Sequence, residues 1–213
     1  MPAPHADPQA EAVRANIRRH ALELFSHFGF QKTNIGDIAE RAGMSPGNLY
    51  RYYKNKQAIG VAVVAQYFEL AQSATEAARL AVKDEPAEVR ICAVLEAGIT
   101  HILEELNQNP RIVELAEFIC EDEAGLAVLQ THIDWKRLKL AEEIEAGIAE
   151  GTLQAEDPEG VACAILLALQ SFSTPMSLIR WRDRSTILPE ARMVLDLLFR
   201  GMRRADNPTA GTS

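Results

Sequence analysis

The sequence predicts an all-α protein, and three observations carry that expectation. Apolar residues recur at the three-and-four spacing of a helix along most of the 213 residues. Prolines and glycines mostly punctuate these periodic stretches. No segment alternates apolar and polar residues as a half-buried strand does. The expected architecture is nine helices without an internal repeat: a three-helix head followed by a larger helical body.

The first helix is expected over about 8–28, with Val13, Ile17, Ala21, Leu24, Phe25 and Phe28 on one face. Gly29 ends it, because glycine takes the left-handed C-terminal conformation at little cost. "TNIGDIAERAG" supplies a short second helix that turns Ile35, Ile38 and Ala39 inward and stops at Gly43. Ser45 can cap a third helix with Pro46 in its first position, where the missing N–H costs nothing. Asn55 can cap a fourth, through Ile59, Val63, Tyr67 and Leu70 to about Val82.

A fifth helix is expected from Pro86 to about Leu106 and a sixth from Pro110, capped by Asn109. A long seventh starts near Gly125, carries Leu126, Leu129, Ile133, Leu140, Ile144 and Ile148, and stops at Gly151. Asp157 and Pro158 open an eighth, expected over 158–181 with a kink at Pro175. Pro189 opens the ninth, over 189–204, with Ala191, Val194, Leu195, Leu198 and Met202 on one stripe. "ADNPTAGTS" reads as a frayed tail.

Composition narrows the function classes. At 47% hydrophobic the chain can build a real core. It has no apolar run of about 18 residues, the length a membrane span needs. "MPAPHADPQ" lacks the basic start and apolar core of a secretory signal. Cys92, Cys120 and Cys163 are scattered, which fits a reduced cytoplasmic setting and cysteines used as core residues. No GxSxG, phosphate loop, HExxH or paired Glu-x-x-His is present, so nothing suggests an enzyme, and no cofactor or metal is expected. The net charge of −8 is uneven. Residues 1–60 hold eight Lys and Arg against five Asp and Glu, a surplus of +3, which leaves −11 for the remainder. A basic head on an acidic body suggests an anionic partner for the head alone.

Residues 34–53 have the form of a helix-turn-helix: a short apolar-faced helix, the tight turn "AGMS", and a second helix on a clean cap. DNA reading needs such a shape, because a major groove about 12 Å wide admits one projecting helix. The residues expected to face outward are Pro46, Gly47, Asn48, Tyr50, Arg51 and Tyr52, with Leu49 and Tyr53 inward. Asn48 suits adenine and Arg51 suits guanine. Tyrosine hydroxyls and Lys56 suit phosphate oxygens, and the N–H groups at the start of the fourth helix can meet a phosphate.

The stretch "IRRHALELFSHFGFQKTNIGDIAERAGMSPGNLYRYYKNKQAI" resembles the N-terminal domain of the TetR family of bacterial transcription regulators. The family pattern A-x-x-L-F-x-x-x-G-[FY]-x-x-T-[ST] is met by Ala21, Leu24, Phe25, Gly29, Phe30 and Thr33. I-A-x-x-A-G-[VM]-S is met from Ile38 to Ser45, and G-x-[LIF]-Y-x-[YH]-[FY]-x-x-K from Gly47 to Lys56. "GIAEGTLQAEDPEGVACAILLAL" is similar to the loop and eighth helix of many members. Two positions depart: Asn34 replaces the usual Thr or Ser, and Gly36 stands where some members read a base.

The resemblance implies a DNA-binding domain over 9–54 and a ligand-binding and dimerisation domain over 55–204, with tails at 1–8 and 205–213. It implies DNA contacts at Thr33, Asn34, Ser45, Gly47, Asn48, Tyr50, Arg51, Tyr52 and Lys56. It implies a cytoplasmic homodimer, paired through helices 158–181 and 189–204, on an inverted-repeat operator in double-stranded DNA. A small-molecule effector would release it from a pocket whose candidate residues are Tyr67, His101, Phe118, His132, Trp135, Phe172 and Met176. Two alternatives stay open. One is a metal- or corepressor-responsive regulator of the same kind, with Cys120, Glu117, Glu121, His101 and His132 as possible ligands. The other is a helical ligand-binding protein without DNA function.

Overall fold

The computed structural model describes residues 7–181 and 183–203, and the expected tails and Arg204 lie largely outside them. Among the described residues there are ten α-helices and no strand. The chain forms two compact units, each built from segments distant in sequence.

The first unit holds residues up to Leu70 together with 103–131. α1 (Pro8–Phe28) starts on Asp7, whose Oδ1 accepts the Gln9 N–H at 3.0 Å. It buries Ile17, Ala21 and Phe25, while Phe28, expected on the same face, is exposed. The backbone then reverses at Gly29 with φ of 90°. α2 (Ile35–Arg41) begins with a reciprocal capping box. The Asn34 side chain accepts the Asp37 N–H, and the Asp37 carboxylate accepts the Asn34 N–H. Gly43 makes the next bend at φ 72°. α3 (Pro46–Leu49) starts on Ser45, whose Oγ accepts the Asn48 N–H at 3.2 Å. α4 (Lys56–Ala81) starts on Asn55, whose Oδ1 accepts the Ala58 N–H at 2.7 Å.

The first unit also contains the end of α5 (Ala87–Gln108), α6 (Ile112–Glu121) and the start of α7 (Glu123–Ala149). Leu115 and Ile119 of α6 pack into one core with Ile17, Phe25, Ile38 and Leu49. Gly60 of α4 marks the close approach: a Cβ there would come within 2.9 Å of the Phe30 ring and 3.2 Å of Leu115. The expected boundary between 54 and 55 bounds the sequence motif, whereas the compact units divide inside α4 after Leu70. Asn109 does not cap α6. Its amide donates to Glu105 Oε1 at 2.6 Å, and α6 starts after Arg111 without a side-chain cap.

The second unit holds residues 71–102 and those from 132 onward. Ile91, Ile99, Leu140, Ile144, Ile165 and Leu195 are among its fully buried side chains. Gly151 turns the chain at φ 76° after α7. The expected stripe on α7 holds at Leu140 and Ile144, while Leu126 and Ile133 are exposed.

The expected helix 158–181 is not continuous. α8 (Pro158–Ala168) starts on Asp157, whose Oδ1 accepts the Gly160 N–H, and is followed by a single 3-10 turn, Gln170–Phe172. A separate α9 (Pro175–Leu178) then starts on Thr174. Pro175 does not kink a helix; it opens one, where its missing N–H breaks no bond and Thr174 supplies the cap. A second 3-10 turn, Arg184–Thr186, leads into α10 (Ile187–Met202), which begins two residues before Pro189.

α10 also shows which stripe is free. Ala191, Leu195 and Met202 are buried in the unit's own core. Met193 and Leu197, one turn apart on the same helix, are 66% and 68% exposed, and Leu167 of α8 is 66% exposed. The cysteine expectation needs correction too: Cys120 and Cys163 are exposed, and Cys92 is half-buried with its thiol pushed up to about 11 by burial.

Candidate nucleic-acid interface

The head presents α3 on two turns that the sequence builds locally. Asn34 and Ser45 cap the two helices, and Gly43 bends the chain between them. α3 is only four residues long, but the chain stays coiled past it. The Tyr50 and Tyr53 N–H groups donate to Pro46 and Leu49, and those of Arg51 and Tyr52 to Asn48 and Leu49. Leu49 is fully buried and Tyr53 nearly so, which anchors the inner side. Pro46, Gly47, Tyr50 and Arg51 face outward as the periodicity predicts, whereas Asn48 and Tyr52, expected outward as well, are half-buried. Tyr50 is 54% exposed, an unusual placement for so apolar a ring. A Cβ on Gly47 would meet nothing within 4 Å, so the fold does not demand glycine there.

Two residues expected at the interface are held inward. Thr33 is 3% exposed, and its hydroxyl donates to the Gly29 carbonyl at 2.9 Å. Lys56 spends its ammonium on the turn after α1. Nζ donates to the carbonyls of Phe30 at 2.8 Å, Gln31 at 3.2 Å and Thr33 at 2.9 Å, which accounts for all three of its donors. It also lies 4.6 Å above the Phe30 ring. Burial pushes its pKa below the ordinary lysine value. Lys56 therefore clamps the turn that leads into α2. Replacing it with methionine is expected to cost about 2 kcal/mol of stability through the lost charged hydrogen bonds. Thermal unfolding of the two proteins checks this.

Sequence reasoning missed Arg18. Its guanidinium bonds Gln66 Oε1 at 2.8 Å, Glu11 Oε1 at 2.8 Å and the Tyr53 hydroxyl at 3.4 Å, tying α1 and α4 to the end of the reading helix. Asn16 adds a bond to the Ala42 carbonyl at 3.1 Å. Arg14 lies 5.9 Å from the Tyr52 ring centre. Polar residues on an otherwise apolar helix face were the available signal.

The effector candidates occupy several places. In the first unit, Tyr67 lines a cavity of about 490 Å³ with Arg18, Gln66, Glu105 and Ile112, and burial raises its pKa. Phe118 stacks on Phe30 at 4.5 Å and packs against the head's core. In the second unit, His132 lies 6.2 Å from Trp135 in a stacked arrangement, and its Nδ1 is 3.4 Å from the Gln72 amide. Burial, then the nearby Lys136 and His101, lowers the His132 pKa to about 4, so the ring is neutral at ordinary pH. Phe172 is buried 5.1 Å from Trp181. Met176 lines an open recess of about 870 Å³ with Trp181 and Arg180. Among the described residues, no three His, Cys, Asp or Glu side chains converge as a metal site would need. No described helix is long and apolar enough to cross a membrane.

A short helix held out on a capped, glycine-bent turn, with Asn, Tyr and Arg on its outer side, defines a helix-turn-helix DNA-binding protein. The family model for bacterial regulatory proteins of the tetR family matches residues 17–63, and that for the tetracyclin repressor-like C-terminal domain matches 87–192. The chain belongs to the TetR family and is a DNA-binding transcriptional regulator; the family consists of regulators, not enzymes. It is similar to the HTH-type transcriptional regulator RutR of Escherichia coli K12, with 29% identity over 166 residues, 76% of this chain and 74% of RutR. A TetR-family regulator from Rhodococcus superposes with a TM-score of 0.67 at 18% identity, over 89% of this chain and 99% of that one. SmeT, the repressor of the Stenotrophomonas maltophilia multidrug efflux pump SmeDEF, gives 0.65 at 16%, over 96% and 98%.

Proposed function

We propose that this protein is a homodimeric, ligand-responsive repressor of the bacterial cytoplasm. It occupies an inverted-repeat operator and leaves it when a small molecule binds the body. The observation that carries the reading is the outer side of α3, where Asn48, Tyr50 and Arg51 share a surface built by local caps. Asn48 and Arg51 read base edges, Tyr50 and Tyr52 hold phosphates, and Gly47 lets the DNA backbone approach closely. Asn34 and Ser45 add polar groups beside the helix starts. Thr33 and Lys56 act indirectly, by fixing the turn that carries α2.

The dimer is supported by the uncovered apolar surface of α8 and α10, where Leu167, Met193 and Leu197 are each about two-thirds exposed. A second copy is the occupant that two operator half-sites require. Replacing Leu197 with glutamate is expected to give a monomer in sedimentation. Operator affinity should then drop at least about a hundredfold, because one head makes half the contacts. A dimer that survives this change would place the interface elsewhere. The effector reading is supported by the aromatic and polar side chains inside the body and by SmeT, which has been solved in complex with triclosan.

Selection of binding sites from random duplex DNA by the purified protein tests the whole reading. An enriched inverted repeat is the expected outcome. Enrichment only after a small molecule is added would make that molecule a corepressor. No enrichment at low or moderate salt would refute the DNA-binding role.

A further inference from the structure

The cavity beside Tyr67 belongs wholly to the DNA-reading unit. Its volume of about 490 Å³ lies where α1 faces α4, the end of α5 and the start of α6. A space of that size holds a small organic molecule. Leu22, Val63 and Ile112 give it apolar walls, and Asn16, Arg18, Gln66, Tyr67 and Glu105 give it polar ones. Two of these residues grip the helix-turn-helix. Asn16 donates to the carbonyl of Ala42, at the end of α2, at 3.1 Å. Arg18 donates to the Tyr53 hydroxyl, just past the reading helix, at 3.4 Å and to Gln66 of α4 at 2.8 Å. An occupant of the cavity is therefore in reach of both grips.

The charges around the cavity leave one unbalanced. Arg18 pairs with Glu11 at 2.8 Å. Arg19 also reaches the cavity, but most of its side chain is in water and it pairs with Glu23 at 3.5 Å. Glu105 has no such partner among the described residues. It is half-buried, and its side chain bonds only the neutral Asn109 amide, at 2.6 Å. Its charge is felt by Tyr67, whose hydroxyl is kept protonated by burial and then by Glu105. A half-buried carboxylate without a cation, on the wall of an apolar-sided cavity and near an aromatic ring, suits a positively charged guest.

We propose that this cavity binds an organic monocation, an amine on an aromatic or other apolar body, with its ammonium on Glu105 and its body between α1 and α4. This rests on the ligand-responsive reading above and narrows it to a place and a ligand class. One carboxylate balances one ammonium, and a second ammonium would sit against Arg18. The occupant's charge repels the Arg18 guanidinium, and the long bond to Tyr53 is the first to yield. The end of the reading helix then loses its tie to α1 and α4, and operator affinity falls. The coupling is reciprocal, so operator DNA should weaken amine binding by the same factor.

The test uses the full-length protein and matched probes: benzylamine, phenethylamine and naphthylmethylamine, the corresponding alcohols, and the corresponding carboxylates. Binding is measured by calorimetry and operator release by anisotropy, for the wild type, Glu105→Gln and Ala15→Leu. At least one amine is expected to bind about tenfold more tightly than its alcohol, and to weaken operator binding by about tenfold. In Glu105→Gln, which keeps an acceptor for the Asn109 amide, the preference for amine over alcohol is expected to vanish. Ala15 lines the cavity, so leucine there should weaken amine and alcohol alike while the charges stay in place. Equal binding of amines and alcohols, tighter binding of carboxylates, or no amine binding would each overturn the proposal. So would amine binding that survives Ala15→Leu, or that leaves operator affinity unchanged. Operator binding separates this failure from a wider one. A protein that holds its operator but takes no amine keeps the regulator reading and loses the cation, whereas one that binds no DNA loses the reading itself.

Discussion

Replacing Glu143 with alanine is expected to lower the unfolding free energy by about 3–5 kcal/mol, the cost of leaving a buried charge without its partner. Glu143 and Arg90 are 5% and 6% exposed. Arg90 Nε meets Glu143 Oε2 at 2.6 Å, Nη2 meets Glu150 at 2.8 Å, and Nη1 meets the Glu85 carbonyl at 2.6 Å. Glu150 is far more exposed, so it offsets little of the buried guanidinium's desolvation once Glu143 is gone. The melting temperature should fall by roughly 2–4 °C per kcal/mol in a chain of this size. Glu143→Gln should cost less, since it keeps an acceptor near Arg90. Replacing Arg90 and Glu143 together by methionine and leucine should cost least, because no buried charge is left unpaired and Glu150, which loses Arg90, is exposed. Urea unfolding of the three variants checks the order. If Glu143→Ala loses less than about 1 kcal/mol, the pair is wetter than its burial indicates.

Arg51→Ala should have the largest effect on DNA. A bidentate arginine–guanine contact discriminates by about 1–3 kcal/mol, and a two-fold dimer loses it twice. Operator affinity should therefore fall by roughly 2–6 kcal/mol if the two losses add. One position in each half-site should become indifferent to base identity. Arg51 is exposed and only its backbone, which alanine keeps, bonds within the turn, so stability should not change. Repeating the site selection with the variant separates these effects. An unchanged sequence preference would show that Arg51 contacts phosphate or nothing.

The contrast between Arg51 and Lys56 shows where sequence reasoning succeeds. Helical spacing places Leu49 and Tyr53 inward and Tyr50 and Arg51 outward, and the structure agrees, because that inference uses residues within one turn. The fate of Lys56 depends on three carbonyls some 25 residues away, and no local pattern reports such a closure. The same limit explains α10. Its two faces are both apolar, so periodicity finds the helix but cannot say that Ala191 and Leu195 face the core while Met193 and Leu197 stay open. At Pro175 the error was local. Thr174–Pro175 is an N-cap signature as good as Asp157–Pro158, and it marked a new helix where a kink was expected.

The packing of α6 against the head bears on how this reader of DNA can be transplanted. Leu115 and Ile119 fill the same core as Ile17 and Phe25, and Arg111 donates to the Phe28 carbonyl at 2.8 Å. A chimera made by cutting after the sequence motif would separate the reading helix from part of its own interior and leave Phe30 facing a stranger's side chains. A graft that keeps its footing has to carry residues 103–131 along with the N-terminal segment, two pieces of chain moved as one. Operator preference in this protein is thus portable only as a discontinuous cassette.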